Sequence, residues 1–213
     1  MGEVIQMSPE LSAVDTALVV IDMQNGFCHP DGSIAQTMPI DANSKVVPVV
    51  AGLVSAAHAA GMTVFWSIQE HIANDVSIDR SWLDNPQAEL LVPPCLRGSW
   101  DSELLDDLSP LVHENDVKIV KHRASAFYGT GLEVELRMRG ITHLVICGVT
   151  TSYCVDGTVR DAYSRDLGVT VVEDACGTPW PDLHAATMKN ISLFHGTVTT
   201  SAVVTSALST IRS

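Results

Sequence analysis

The sequence predicts an α/β fold built on a parallel sheet with helices on both faces. Two observations predict it. Apolar runs rich in β-branched residues recur at Ala17–Ile21, Met62–Ile68, Val117–Val120, His143–Cys147, Val169–Val172 and Val198–Val204. Longer segments of helical period separate most of them, with short connections. Strands that alternate with helices pair in parallel, because each helix returns the chain to the same end of the sheet.

Each element has its own reason. Ala17–Ile21 is a short, continuous apolar run, as expected of a strand buried on both faces, and it ends at Asp22. Asn43–Ala60 is almost wholly apolar and stops at Gly61, the pattern of a buried crossover helix with a glycine C-cap. After Met62–Ile68, residues 69–100 carry Pro86, Pro93 and Pro94 and no clear period. Insertions this long in a compact domain are usually functional loops, so this one is expected to shape a pocket, with Trp82, Arg97 and Trp100 as wall residues. A surface excursion or a subunit contact is the plainer alternative. Val117–Val120 ends at Lys121, and Leu132–Arg139 reads as a helix closed by Gly140. His143–Cys147 leads through Gly148 and a hydroxyl-rich turn to Cys154, at the start of a helix over Tyr153–Arg165. A helix over Leu183–Phe194 connects the last two runs.

A chain of 213 residues that is 46% hydrophobic and 17% charged suits one domain, residues 1–213, with a sizeable core. The first residues carry Glu3, Glu10 and Asp15 with no basic stretch, and no apolar run approaches the length of a membrane span. The five cysteines are odd in number and lack CxxC spacing, which points to a reducing compartment, the cytoplasm. A net charge of −13 without a Lys/Arg cluster argues against nucleic acid and anionic membrane as partners. A homo-oligomer, dimer or tetramer, acting on a small molecule is expected.

Asp22, Lys121 and Cys154 each present an ionisable side chain just beyond an apolar run, and such strand ends converge on the crevice where open parallel sheets bind ligands. Singly, each has an ordinary reading: a lone cysteine is usually a small core residue, and a lone lysine is usually solvated. Together they suit nucleophilic catalysis. A free thiol is mostly protonated at neutral pH, so it needs a base or a cation. Asp22 can take the thiol proton, while Lys121 and the helix N-terminus favour thiolate. No cofactor is required.

The runs ALVVIDMQNGF, KHRASAF with the following GTGLEVELRMRGI, and HLVICGVTTSYCVDGTVRDAYSRDLGVTVVEDA resemble the isochorismatase-like cysteine hydrolases over roughly residues 16 to 200. That group includes nicotinamidase, N-carbamoylsarcosine amidase, ureidoacrylate and biuret amidohydrolases, and isochorismatase. The resemblance implies a three-layer α/β/α domain around a six-stranded, mainly parallel sheet. It places the catalytic residues on Asp22, Lys121 and Cys154, a cis peptide at Val149–Thr150, and an oxyanion hole on the backbone N–H groups of Thr150 and Cys154. Phe27, Gln69, His71, Phe127 and Tyr128 are candidate substrate neighbours. Nicotinamidases carry an Asp-x-His metal site on the second strand. The matching stretch here offers Gln69, Glu70 and His71 without a second close histidine, so no metal is expected.

The activity implied is hydrolysis of a small linear amide, ureido or carbamoyl compound through a Cys154 thioester, releasing ammonia or an amine. The alternatives are an isochorismatase-type vinyl ether hydrolase using Asp22 as acid without a covalent step, and a catalytically silent binding protein.

Overall fold

The computed structural model describes residues 11–72 and 94–211. Trp82 and the middle of the 69–100 insertion lie outside the described residues. A six-stranded sheet is built from β1 (Thr16–Ile21), β2 (Thr63–Gln69), β3 (Val117–Lys121), β4 (His143–Val149), β5 (Gly168–Gly177) and β6 (Thr197–Thr199). The strand order is β3-β2-β1-β4-β5-β6, and every pair is parallel. The expected fold class is observed, with the sheet wholly rather than mainly parallel.

The helices among the described residues are α1 (Asn25–Cys28), α2 (Asp41–Lys45), α3 (Val47–Ala59), α4 (Leu132–Met138), α5 (Asp156–Tyr163), α6 (Pro181–Phe194) and α7 (Ser201–Ser209). None is long and apolar enough to cross a membrane. Leu18 and Val20 of β1 share a core with Val50, Leu53 and Val54 of α3 and Val204 and Leu208 of α7. Ala17, Val19 and Ile21 pack on the opposite face with Leu136 of α4, Val159 of α5 and Ile191 of α6. Alternate residues of one strand therefore serve two cores, which is why ALVVI reads as continuous rather than alternating.

The sheet winds outward from β1 to β3 and then from β4 to β6, so the direction reverses between β1 and β4. Ligands bind at the carboxyl ends of strands beside such a switch point. Gly148 permits the close approach of these two strands: a Cβ there would lie 2.1 Å from the Ile21 carbonyl oxygen, and its φ is +115°.

Three expected elements differ. The helix over Asn43–Ala60 is broken at Val46, between α2 and α3. Pro48 explains this, since it lacks an N–H and is tolerated only in a helix's first turn. The strand over Val198–Val204 stops at Thr199, and α7 begins at Ser201. Asp174 captures the Ser201 N–H at 2.7 Å and its hydroxyl at 2.6 Å, anchoring the start of that helix despite its β-branched composition. The helix expected over Tyr153–Arg165 opens as a π-helical turn, Thr151–Val155, before α5.

Candidate active site

Asp22 follows β1, Lys121 ends β3, and Cys154 sits in the turn after β4. The parallel register brings all three carboxyl ends to one edge. Asp22 adopts φ +50°, a left-handed conformation in which Asp is enriched, and its N–H donates to the Ser67 carbonyl at 3.0 Å. Ser67 Oγ then donates to Asp22 Oδ1 at 3.1 Å, and Lys121 Nζ stands 2.7 Å from Asp22 Oδ2. The same ammonium lies 3.4 Å from Cys154 Sγ. Asp22 and Lys121 are fully buried, and Cys154 nearly so. Lys121 thus forms a buried ion pair with Asp22 and does not take the solvated position usual for a lone lysine.

The turn that carries Cys154 is tied to its surroundings by hydroxyl groups. Thr158 Oγ1 donates to the Cys154 carbonyl at 2.8 Å and accepts from the Ala126 N–H at 3.0 Å. Thr151 Oγ1 lies 3.0 Å from His184 Nδ1 on α6, and Ser152 Oγ lies 3.3 Å from Thr178 Oγ1. The Val149–Thr150 peptide bond is cis. The Thr150 carbonyl accepts from the N–H groups of Tyr153 and Val155, closing the turn beside Cys154.

Electrostatics modify the sequence expectation of a thiol activated at rest. Burial pushes the Cys154 thiol up to about 12; Lys121 pulls it down and the Asp22 charge adds to the rise. Burial also holds Asp22 above the ordinary aspartate value, against the pull of Lys121. Lys121 is penalised by burial, yet Asp22 and Cys154 keep it above the ordinary lysine value. Desolvation disfavours isolated charge, so the resting pocket favours one cation with one shared negative charge and a protonated sulfur. Cys28, Cys95, Cys147 and Cys176 are free and buried, and burial raises each thiol as well.

The candidate substrate neighbours separate. Gln69 and His71 are buried beside Lys121: Gln69 Oε1 accepts from Nζ at 2.7 Å, and Gln69 Nε2 lies 3.1 Å from His71 Nε2. Phe27 is half-buried against the α3-side core. Phe127 packs in the opposite core, its ring centroid 4.8 Å from the Arg165 guanidinium carbon. Tyr128 is 68% exposed, turned outward where its neighbour is turned in. Arg97 Nε pairs with Glu70 Oε1 at 2.6 Å, and Trp100 meets the His29 ring edge-on at 4.9 Å.

Two further residues support these, Ser67 and Gln24. Ser67 escaped the sequence reading, although a lone hydroxyl two residues before Gln69 in the run VFWSIQ marks the same strand face. Gln24 clamps the β2 end, donating to the carbonyls of Gln69 and Ser102 at 2.9 Å each and accepting from the Gln69 N–H at 2.8 Å. The chain just after the insertion is thus laced to the loop that carries Asp22.

At Gln69 and His71, where the sequence resemblance would put a metal site, the donor chemistry does not fit a metal ion. His71 Nδ1 faces the Pro94 carbonyl at 2.7 Å, Nε2 faces the Gln69 amide, and Gln69 Oε1 is held on a cation. No group of three or more His, Cys, Asp or Glu side chains among the described residues could hold a metal.

Residues 16–203 match the model of the Isochorismatase domain family, and the chain belongs to that family. It is 36% identical over 210 residues to ureidoacrylate amidohydrolase RutB of Caulobacter vibrioides, covering 91% of this chain and 92% of the relative. It is 38% identical over 183 residues to an Arabidopsis thaliana protein named "Probable inactive nicotinamidase", covering 84% and 90%. Among solved structures, a cysteine hydrolase from Pseudomonas syringae pv. phaseolicola superposes with a TM-score of 0.83 at 25% identity, covering 95% of this chain and 96% of that one.

Proposed function

We propose that this protein is a cysteine amidohydrolase that cleaves a C–N bond of a small amide, ureido or carbamoyl compound through a Cys154 thioester. The observation that carries this reading is the single ammonium, Lys121 Nζ, placed 2.7 Å from Asp22 Oδ2 and 3.4 Å from Cys154 Sγ. Moving the thiol proton to Asp22 shifts the negative charge from one neighbour of that ammonium to the other. No net charge is created in the buried pocket, so the desolvation that raises the resting thiol does not oppose the step.

Each step balances around these groups. Asp22 accepts the thiol proton as sulfur attacks the carbonyl carbon, and the backbone N–H groups of Thr150 and Cys154 receive the developing oxyanion. The C–N bond breaks as Asp22 returns the proton to nitrogen, which leaves as ammonia or an amine. Water then gives a proton to Asp22 and attacks the thioester; sulfur leaves and recovers that proton. The ureidoacrylate amidohydrolase relative supports ureido compounds as the substrate class.

Burial raises Asp22 above the ordinary aspartate value, the direction that acid-catalysed vinyl ether hydrolysis would use. The "Probable inactive nicotinamidase" likeness favours a silent protein. Ammonia release across ureidoacrylate, N-carbamoyl amino acids, linear amides and nicotinamide, with and without iodoacetamide, separates the amidase reading from both. The amidase reading expects release from a ureido or amide compound, abolished by one label on Cys154. Turnover that survives this label contradicts it, as does a panel wholly inert.

A further inference from the structure

We propose that Gln69 and His71 are positioning residues that hold the Lys121 ammonium against Asp22 and Cys154, rather than residues that touch substrate. The inference rests on the amidohydrolase reading for its kinetic consequence, though not for its geometry.

A lysine ammonium has three N–H donors and no acceptor. Lys121 Nζ has four acceptors around it: Asp22 Oδ2 at 2.7 Å, Gln69 Oε1 at 2.7 Å, the Arg123 carbonyl at 3.1 Å and Cys154 Sγ at 3.4 Å. Two of these are neutral oxygens that take the place of water around a buried cation. With two N–H groups directed at Gln69 and Arg123, the third falls between the carboxylate and the sulfur. The neutral pair thus fixes where the charge points.

The orientation of the Gln69 amide is fixed in turn. A carbonyl oxygen only accepts, so the Pro94 carbonyl 2.7 Å from His71 Nδ1 requires Nδ1 to carry hydrogen. A neutral imidazole then presents Nε2 as an acceptor, and the Gln69 NH2 donates to it at 3.1 Å. That turns Gln69 Oε1 toward Lys121. Among the described residues, Lys121, His122 and Arg123 act on His71 electrostatically; burial, aided by these three and opposed by the Pro94 carbonyl, holds its imidazole below the ordinary histidine value, which favours the neutral ring.

Backbone geometry supports the arrangement. Gln69 and Lys121 are register partners at the ends of β2 and β3, so their side chains leave the same sheet face. Gln24 grips the Gln69 backbone from both sides, and His71 is bridged to Leu96. Every polar atom described for the Gln69 amide is directed at protein.

The test compares Gln69→Met, His71→Leu and the double variant with wild type, in two measurements. The first is the pH profile of Cys154 alkylation by iodoacetamide, which needs no substrate and stands even if the amidohydrolase reading fails. With its cation less firmly held, the thiol should react with a profile shifted upward by about one pH unit in Gln69→Met and less in His71→Leu. His71→Leu should add nothing in the Gln69→Met background, because His71 acts through Gln69. The second is steady-state kinetics on the best amide, where kcat should fall roughly 10- to 100-fold with KM little changed. A profile that stays in place or moves downward overturns the proposal, and so does a raised KM with unchanged kcat. Should Gln69→Met fail to fold, His71→Leu alone must still shift the profile upward; no shift there overturns it equally.

Discussion

The Lys121 ammonium and the Asp22 carboxylate stand 2.7 Å apart with both side chains out of water. A pair of this kind gives little net stability, because desolvation offsets attraction, but removing one partner leaves an uncompensated buried charge. Its persistence at the carboxyl edge of the sheet accords with a working pair rather than a structural one.

Stability should therefore respond to pH in a defined direction when Lys121 is lost. In Lys121→Met, burial acts on Asp22 unopposed, and its folded pKa lies above its unfolded value. Such a carboxyl contributes stability that is present below the unfolded pKa and lost as pH rises through the folded pKa. The variant should lose up to about 3–5 kcal/mol at pH 7 and recover toward acid. Adding Asp22→Asn should restore stability at pH 7 and flatten the pH dependence. Denaturant melts from pH 4 to 8 check this; a single variant as stable as wild type at pH 7 contradicts it.

Asp22→Asn keeps the shape of the carboxylate and its acceptor toward Ser67 but cannot take a proton. Turnover should fall by roughly 10²- to 10⁴-fold, the usual range for loss of a positioned general base. Initial rates of ammonia release measure it. A variant within a few-fold of wild type would move the base elsewhere.

The parallel fold, and the meeting of Asp22, Lys121 and Cys154 at one edge of it, were legible in the sequence for physical reasons. Asp22, Lys121 and Cys154 each interrupt an apolar context just past a strand, and a parallel sheet gathers all such ends at one edge. Composition could not show that Lys121 is buried, since a solvated lysine and a paired one have the same letter. Nor could it weigh burial against the helix terminus at Cys154, where burial prevails. The segment around Ser201 carries strand-forming residues, but the Asp174 carboxylate, twenty-seven positions away, decides for helix. Phe127 and Tyr128 differ only in which way the backbone turns them, a choice made by packing beneath Arg165.

Purified protein should contain no stoichiometric zinc or iron, and EDTA should leave its rate unchanged. The basis is the engagement of His71 and Gln69 with Pro94, each other and Lys121, which spends their donor atoms. Elemental analysis paired with assays after chelation tests it. About one metal per chain, removed with loss of activity, would contradict the assignment.

The central claim is that Cys154 carries the acyl group. Wild-type protein mixed with the best ureido or amide compound, quenched within a turnover and weighed as intact protein, measures this directly. We expect a mass gain equal to the substrate less its departing amine, mapped to the peptide containing Cys154 and absent in Cys154→Ala, which should fold normally yet lose turnover by about three orders of magnitude or more. Undiminished turnover in Cys154→Ala, with no adduct on the wild-type protein, would contradict the account.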